Sequence, residues 1–331
     1  MRGPIRIRNQ FPLSLHFLSF PAESAALLAR GEWRVGFDLT TSNIFVDSLD
    51  GDVLRPAGRR SLRQDEFEAL IASGPNRDRF LFDGEVVRGS FAIASGLGRR
   101  LEAGVEIPYV YLGGGSLDGL IEGFHQRFGF DQAGRDRYPR DELQVALHLD
   151  GQTLFVSDAG GTSGAAEPVL SGKWLILDHG QRRPAMALRV AVKPPVGGER
   201  LMTSGHWDAG INLVLDKHWK RQSAYLNVGY IVPGSWSLLP GLRIANSLSV
   251  LLAYERCVGS RASIVLQNLI HTSFLTDATD TDLADPSHEL TAGVKWEAKP
   301  GVSVSAAITE NYATFDSSPD IGFHVGMASR F

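Results

Sequence analysis

The 331-residue sequence is most informative first in what it lacks. It has a single cysteine, Cys257, which excludes an internal disulfide and any cysteine-built metal cluster. No stretch approaches the roughly 18–20 apolar residues of a membrane-spanning helix. The opening MRGPIRIRNQ has no apolar core of the kind a secretory signal carries. Charge of neither sign dominates: 33 basic residues stand against 37 acidic ones, a net charge of −4, so there is no basic footprint and no nucleic acid is expected as partner. No cofactor is expected either.

What is present is alternation. In EWRVGFDLT, Trp33, Val35, Phe37 and Leu39 share one face while Arg34, Gly36, Asp38 and Thr40 share the other. LEAGVEIPYVY sets Leu101, Val105, Ile107, Tyr109 and Tyr111 against Glu102, Gly104 and Glu106. AMALRVAVK and DAGINLVLD repeat the pattern, and so do later segments up to IGFHVGMASRF at the end. Period-2 alternation marks strands with two different faces. There are about 14 such segments, on the order of 9–13 residues each, the length of a tilted strand that crosses a membrane. Connections alternate between short (GLGRR, DGQ, VGSRAS, AKPG) and long. Short turns at one end and long loops at the other is the arrangement of an outer-membrane barrel. Alternation alone also fits a soluble sandwich. Strand length beyond the globular norm of about 5–6 residues favours lipid. So do the aromatics near strand ends: Trp33, Tyr109, Tyr111, Trp207, Tyr254, Trp296, Phe323 and Phe331.

The expected fold is therefore an all-β, transmembrane, antiparallel outer-membrane β-barrel of about 14 strands over residues 32–331. The alternative is 12, with Leu143 to Ser157 forming a hairpin above the membrane. Residues 1–31 are expected to be an N-terminal plug or hatch on the periplasmic side, with Arg8, Asn9 and Gln10 meeting inward-facing acids. Three helices are expected: Pro21 to Gly31, Leu62 to Gly74, and Ser116 to Gly129.

The terminal strand, closing on Phe331, resembles the C-terminal recognition signal of bacterial outer-membrane proteins. That resemblance implies the barrel-assembly machinery as a partner and the outer membrane, with its lipid and lipopolysaccharide, as the location. GPIRIRNQFPLSLHFLSFP followed by GEWRVGFDLTTSNIF resembles a family of bacterial outer-membrane proteins known only as a domain of unknown function, number 3187. FDGEVVRG, GGGSLDGLIEGFHQRFG and RDRYPRDEL share that resemblance. A looser likeness covers AEPVLSGKW, ALRVAVKPPVG and NVGYIVPG, which look like later strands of FadL-type transporters of hydrophobic compounds. Those are barrels with an N-terminal hatch in the lumen, but the Asn-Pro-Ala hatch motif is missing here and RNQFPL would stand in its place. The likeness implies a channel for small hydrophobic molecules.

The inward faces carry most of the charge: Arg34, Asp38, Glu102, Glu106, Lys173, Arg189, Lys193, Asp208, Asp216, Glu255, Lys295, Glu297 and His324. These are the candidate lumen-lining residues. They either line a polar path or pair across the lumen, since unpaired buried charge is costly. His271 and Ser273 in IHTSF have the spacing of a strand His that activates a Ser two residues away. An outer-membrane lipid hydrolase is thus an alternative function, although no orienting acid lies nearby in sequence; a structural barrel with a filled lumen is the other. Glu122 and His125 make half a metal site at best, with a salt-linked loop cap the commoner outcome. The acidic stretch Thr276 to Asp285, with Asp277 and Asp280, lacks the glycine and final glutamate of a calcium loop. No catalytic residue and no metal is assigned.

Overall fold

The computed structural model describes residues 2–49, 58–73, 78–158, 160–196, 200–275, 282–313 and 317–331; Asp277 and Asp280 of the acidic stretch lie outside them. A short helix, α1 (Pro12–Leu15), opens on a proline whose missing N–H costs nothing at a first helical position. The strands follow as β1 (Trp33–Asp47), β2 (Arg79–Gly96), β3 (Leu101–Gly113), β4 (Leu143–Leu149), β5 (Gln152–Asp158), β6 (Thr162–Ala165), β7 (Val169–Leu177) and β8 (Ala185–Lys193). Next come β9 (Asp208–Trp219), β10 (Gln222–Val232), β11 (Ser247–Cys257), β12 (Ala262–His271), β13 (Ser287–Lys299), β14 (Val302–Asn311) and β15 (Ile321–Arg330). Two longer helices, α2 (Gln64–Ser73) and α3 (Asp118–Phe128), lie in the first two long connections.

All fifteen strands join one antiparallel sheet, and twelve of them close on themselves: β1, β2, β3 and β7 to β15. Closure is the pairing of β1 with β15, from Arg34 opposite Arg330 to Asn43 opposite Ile321. A closed barrel leaves no edge of unpaired amides, which is why alternating strands of this length can stand in lipid at all. Outward positions carry large exposed apolar side chains such as Phe37, Phe91, Ile107, Val190, Ile211, Leu252, Ile264 and Val325. Their neighbours Asp38, Ser90, Glu106, Arg189, Asn212, Ala253, Val265 and His324 point inward, so the expected alternation of faces holds.

The expected count of 14 is corrected to 12, the alternative in which Leu143 to Ser157 forms a hairpin. β4 and β5 are seven residues each and pair with each other, and β4 alone pairs with the far end of β2, outside the ring. Seven residues are too few to cross a membrane as a tilted strand. Asp150 and Gly151, at φ 48° and 74°, make the tight turn that suits a two-residue hairpin. A lipid-spanning strand exposes one face, whereas every residue of β4 is buried. One face of β4 joins the main apolar cluster through Val145 and Leu147; the other packs Ala146 with Phe45, Leu81, Tyr138 and Phe67 of α2. β6 pairs with the upper part of β3, Tyr109 to Leu112, where β7 no longer reaches.

The helices at residues 64–73 and 118–128 are where the pattern places them. The expected helix from Pro21 to Gly31 is absent: that stretch is irregular, with a bend at Ala25 and a turn at Gly31. Its Ala- and Leu-rich composition favours helix, but its amides find acceptors elsewhere. The N–H groups of Glu23, Ala25 and Leu28 donate to Asn227, Asp216 and Glu102 of the barrel, at 2.9, 2.6 and 3.0 Å. Once distant side chains satisfy the backbone, the helical ladder has no advantage.

Candidate functional site

Residues 3–28 run inside the barrel as a long hairpin with its apex at α1. Both limbs start at the short-turn end. Gly3 N–H donates to Glu255 at 2.9 Å, and Lys295 reaches the Gly3 carbonyl and pairs with Glu255 at 3.3 Å. Glu255 also accepts from Tyr225 and Ser263, both at 2.6 Å. One step further, Ile5 exchanges two hydrogen bonds with the Gln267 amide, each 3.1 Å. Arg6 then pairs with Asp38 at 3.4 Å and Glu106 at 2.8 Å, while Arg88 and Ser90 hold the other Glu106 oxygen at 2.7 Å.

The apex is apolar. Phe11, Leu13, Phe17, Leu18 and Phe20 join Ile44, Val46, Phe80, Phe82, Trp236, Phe274 and Leu275 in the largest buried cluster. Phe17 lies 4.7 Å from Phe274 between ring centroids, and Phe11 lies 5.5 Å from Phe82. On the returning limb Leu18 N–H donates to Asp208 at 2.7 Å, and Lys193 bridges Asp208 and Glu167. Glu23 receives Lys173 at 3.4 Å and Arg189 at 3.3 Å. Ser24 and Ala25 both donate to Asp216, and Leu28 donates to Glu102, which also pairs with Arg34 at 2.8 Å.

The segment is thus tied to the wall by side chains, and among the described residues none pairs as a strand with residues 3–28. Every buried amide needs a partner, and here inward carboxylates and carboxamides of the wall supply them. Lys173 also donates to the carbonyls of Ser24 and Ala26.

The wall is not uniform. On β9 and β10, inward Gly210 and Gly229 leave room for the Phe20 ring; a Cβ at Gly210 would stand 2.9 Å from it and one at Gly229 3.0 Å. Gly293 of β13 does the same for Ile5, at 2.5 Å. On the other side the inward positions are small and line open space: Gly36 of β1, Ala92 and Ala94 of β2, Gly104 of β3, Ser303 and Ser305 of β14, and Ala328 of β15. Between these and the segment lie two neighbouring cavities of about 60 and 120 Å³ that share Arg6, Glu23, Arg34, Asp38 and Lys173.

Of the candidate lumen residues, Arg34, Asp38, Glu102, Glu106, Lys173, Arg189, Asp216, Glu255 and Lys295 converge on this hairpin. Lys193 and Asp208 form a separate buried knot nearer its apex, and His324 sits between Thr40 and Ser305, 3.7 Å from Asp38. Glu297 lies half-exposed at the β13–β14 turn, where it accepts the Gly301 N–H at 3.3 Å. Arg8, Asn9 and Gln10 are buried, and among the described residues they bond to no acid. Arg8 donates to the carbonyls of Ser14 and Phe17, Asn9 to Ser287, and Gln10 to the Arg8 carbonyl. The guanidinium that does reach acids is Arg6. Sequence reasoning missed Arg6 and Glu23 as partners, although Glu23 is the only acid among the first 31 residues.

His271 and Ser273 do not bond to each other. The His271 ring faces Ser247 Oγ at 3.3 Å, and Ser273 Oγ donates to the Leu283 carbonyl at 2.8 Å, past the end of β12. Among the described residues no three His, Cys, Asp or Glu side chains are grouped to hold a metal. Glu122 takes Arg59 and Arg140 as partners, the salt-linked loop cap, and His125 contacts the Asp131 carbonyl.

The chain belongs to the family described as protein of unknown function (DUF3187), whose model matches residues 1–331. Among curated proteins no sequence matches. Among solved structures, the fold is similar to that of an outer membrane channel from Pseudomonas putida F1, with a TM-score of 0.57 at 11% identity, over 92% of this chain and 97% of that one. Looser likenesses include the Pseudomonas putida toluene transporter TodX, TM-score 0.40 at 11% identity over 99% of each chain. The CymD monoaromatic hydrocarbon channel matches with TM-score 0.41 at 9% identity, over 100% of this chain and 95% of that one.

Proposed function

We propose that this DUF3187 protein is an outer-membrane channel for small hydrophobic molecules, closed at rest by its own N-terminal segment acting as a plug. The observation that carries the reading is the attachment of residues 3–28. A permanent filling would be expected to pair as strand or pack on all sides. Among the described residues this segment is held by side-chain bonds and apolar contacts without strand pairing, and cavities of about 60 and 120 Å³ remain beside it, so it can leave without breaking the barrel. The apolar cluster around Phe11 and Phe17 lies at the long-loop end and favours an apolar solute entering there. The charged residues around Arg6 then face the solute on its way out. The shared fold with an outer membrane channel supports the same reading.

With short turns toward the periplasm, β15 runs inward and Phe331, exposed beyond its end, sits at the inner interface. That is where a C-terminal signal would be offered to the assembly machinery.

The test is conductance and uptake of a small aromatic dye in liposomes, for the full chain and for a chain lacking residues 2–30. The full chain should conduct little and the truncated chain clearly more, with both barrels keeping the heat-dependent gel mobility of a folded β-barrel. Equal, near-zero flux through two folded barrels would overturn the reading and leave a structural barrel.

A further inference from the structure

α3 is built inside out. Its buried side carries Asp118, Ile121 and Glu122, while Leu120, Phe124 and Phe128 are 61%, 51% and 64% exposed. Phe130, just past the helix, adds a fourth apolar side chain at 57%, and its ring stacks 5.8 Å from that of Phe124. The acids are fully engaged. Asp118 pairs with Arg135 at 2.9 Å and accepts from Asn43 and from the Asp141 N–H. Glu122 takes both guanidinium nitrogens of Arg59 at 2.7 Å and also Arg140. Those hydrogen bonds, Arg59's first, hold the Glu122 carboxyl down to about 2, so the anchor stays charged well into acid.

The chain is able to bury such a face. α2, in the preceding loop, has the same kind of pattern and covers its Phe67 completely against Phe155 and its neighbours. α3 instead spends its contacts on its polar side and turns the aromatic one out. In water an exposed cluster of this kind is unfavourable and rare.

Where α3 sits identifies what covers it. Asn43 and Glu85 are outward-facing and pair with each other across β1 and β2; Glu85 also pairs with Gly113 of β3. Glu85 accepts the N–H groups of Ser116 and Leu117, and Asn43 holds Asp118. The start of α3 is therefore pinned to the outside of the wall. The next outward row down is Thr41, Val87 and Tyr111, then Leu39 and Tyr109, then Phe37, Phe91 and Ile107. α3 begins about 7 Å along the strands from Tyr111, directly above the exposed apolar belt. Exposed Arg127 lies on the helix between Phe124 and Phe128 in sequence.

We propose that α3 is an interfacial helix that inserts Leu120, Phe124, Phe128 and Phe130 into the outer leaflet of the membrane around the barrel, fixing the height of the first two external loops. A helix with an aromatic face and a charged opposite face lies in the plane of the interface with the apolar side about 5–10 Å deep. Here the charged side is clamped to protein and the apolar side continues the lipid-facing belt. The inference rests on the barrel standing in a membrane.

The test uses nitroxide labels in a Cys257→Ser background, reconstituted in vesicles of phosphatidylethanolamine and phosphatidylglycerol. Labels go at Phe124→Cys and Phe128→Cys on α3, at Val190→Cys on the belt and at Glu68→Cys on α2. Collision with oxygen is read against collision with a water-soluble nickel complex. Phe124→Cys and Phe128→Cys should resemble Val190→Cys in favouring oxygen, at a shallower depth, and Glu68→Cys should favour nickel. Nickel preference at both α3 sites with oxygen preference at Val190→Cys overturns this proposal alone. Nickel preference at Val190→Cys as well overturns the membrane placement with it. Dipolar broadening between α3 labels that disappears on dilution with unlabelled protein would show a second copy covering the face, and overturns the lipid assignment.

Discussion

From β8 round to β13 the wall packs closely on the N-terminal segment; from β14 through β15 and β1 to β3 it holds the segment through a few groups such as Asp38, Glu102, Glu106 and Phe82, and its small inward residues stand back. The strands on both sides obey the same alternation and the same ladder. The difference is in what their inward positions carry. On the gripping side, Asn227 and Gln267 meet backbone groups, Gly210, Gly229 and Gly293 accept Phe20 and Ile5, and Ala185, Ala187 and Val214 pack on Ala25. On the other side Gly36, Ala92, Ala94, Gly104 and Ala328 meet little beyond their own sheet, and the two neighbouring cavities around Arg6 open against them. A small inward residue therefore has two opposite meanings: a notch where a partner fills it, and free cross-section where none does. If a solute passes while part of the segment stays docked, it passes along the second side.

The largest expected effect is on the gripping side. Phe20→Ala removes the ring from between Gly210 and Gly229, and a buried Phe→Ala change costs about 3–5 kcal/mol. Most of that loss should fall on docking of the segment, so trypsin cleavage at Arg6 and Arg8 in reconstituted barrels should speed up strongly. Unchanged protection would mean that this wall does not hold the segment.

A smaller effect, and a sharper contrast, comes from two glycines. Gly210→Ala puts a methyl 2.9 Å from Phe20 and 3.1 Å from Leu18, whereas at Gly36 the nearest atom, the Met327 carbonyl oxygen, is 3.6 Å away. Overpacking of this kind costs about 1–3 kcal/mol. Gly210→Ala should raise protease access and ion leak, and Gly36→Ala should leave both unchanged. Equal behaviour of the two variants would erase the distinction between the walls.

How much of this was legible in the sequence follows the same physics. Period-2 patterning is local, so the facing of Val190 or Asp38 could be read from a few neighbours. Strand number could not, because β4 and β5 alternate as spanning strands do, and only the pairing of β4 to the far end of β2 puts the hairpin outside the ring. The stretch from Pro21 to Gly31 looked helical because propensity is local, while its acceptors, Asn227, Asp216 and Glu102, are distant in sequence. For the same reason inward charges were found singly and their partners were not. Arg6 and Arg8 are equivalent in sequence; only the fold gives Asp38 and Glu106 to the first and the segment's own carbonyls to the second.

A comparable loss is expected from Asp216→Ala, which leaves the Ala25 N–H and the Ser24 hydroxyl without their acceptor. Leaving buried donors unmade costs about 1–3 kcal/mol. Asp216→Asn keeps an acceptor oxygen and should recover part of the protection. If Asp216→Ala and Asp216→Asn expose the segment equally, the charge rather than the hydrogen bond is what matters there.

The smallest effect is that of salt, and it separates the two sides without altering a side chain on either wall. Arg6 lies against the open side; its side chain is 25% exposed and that of its partner Asp38 14%. Lys173 and Glu23, also paired, are only 5% and 7% exposed. Raising ionic strength from 0.01 to 1 M shortens the screening length from about 30 to 3 Å. Water-accessible pairs are weakened by that change and buried ones much less. A partly wet pair contributes about 1 kcal/mol or less, so high salt should increase cleavage or leak only severalfold. The increase should come through Arg6. In an Arg6→Gln variant the starting protection should be slightly lower and the salt response nearly gone, whereas removing Phe20 should leave the response in place. A salt response of the same size with and without the Arg6 charge would show that ions loosen the gripping side too, and that the contrast between the two walls is one of packing alone.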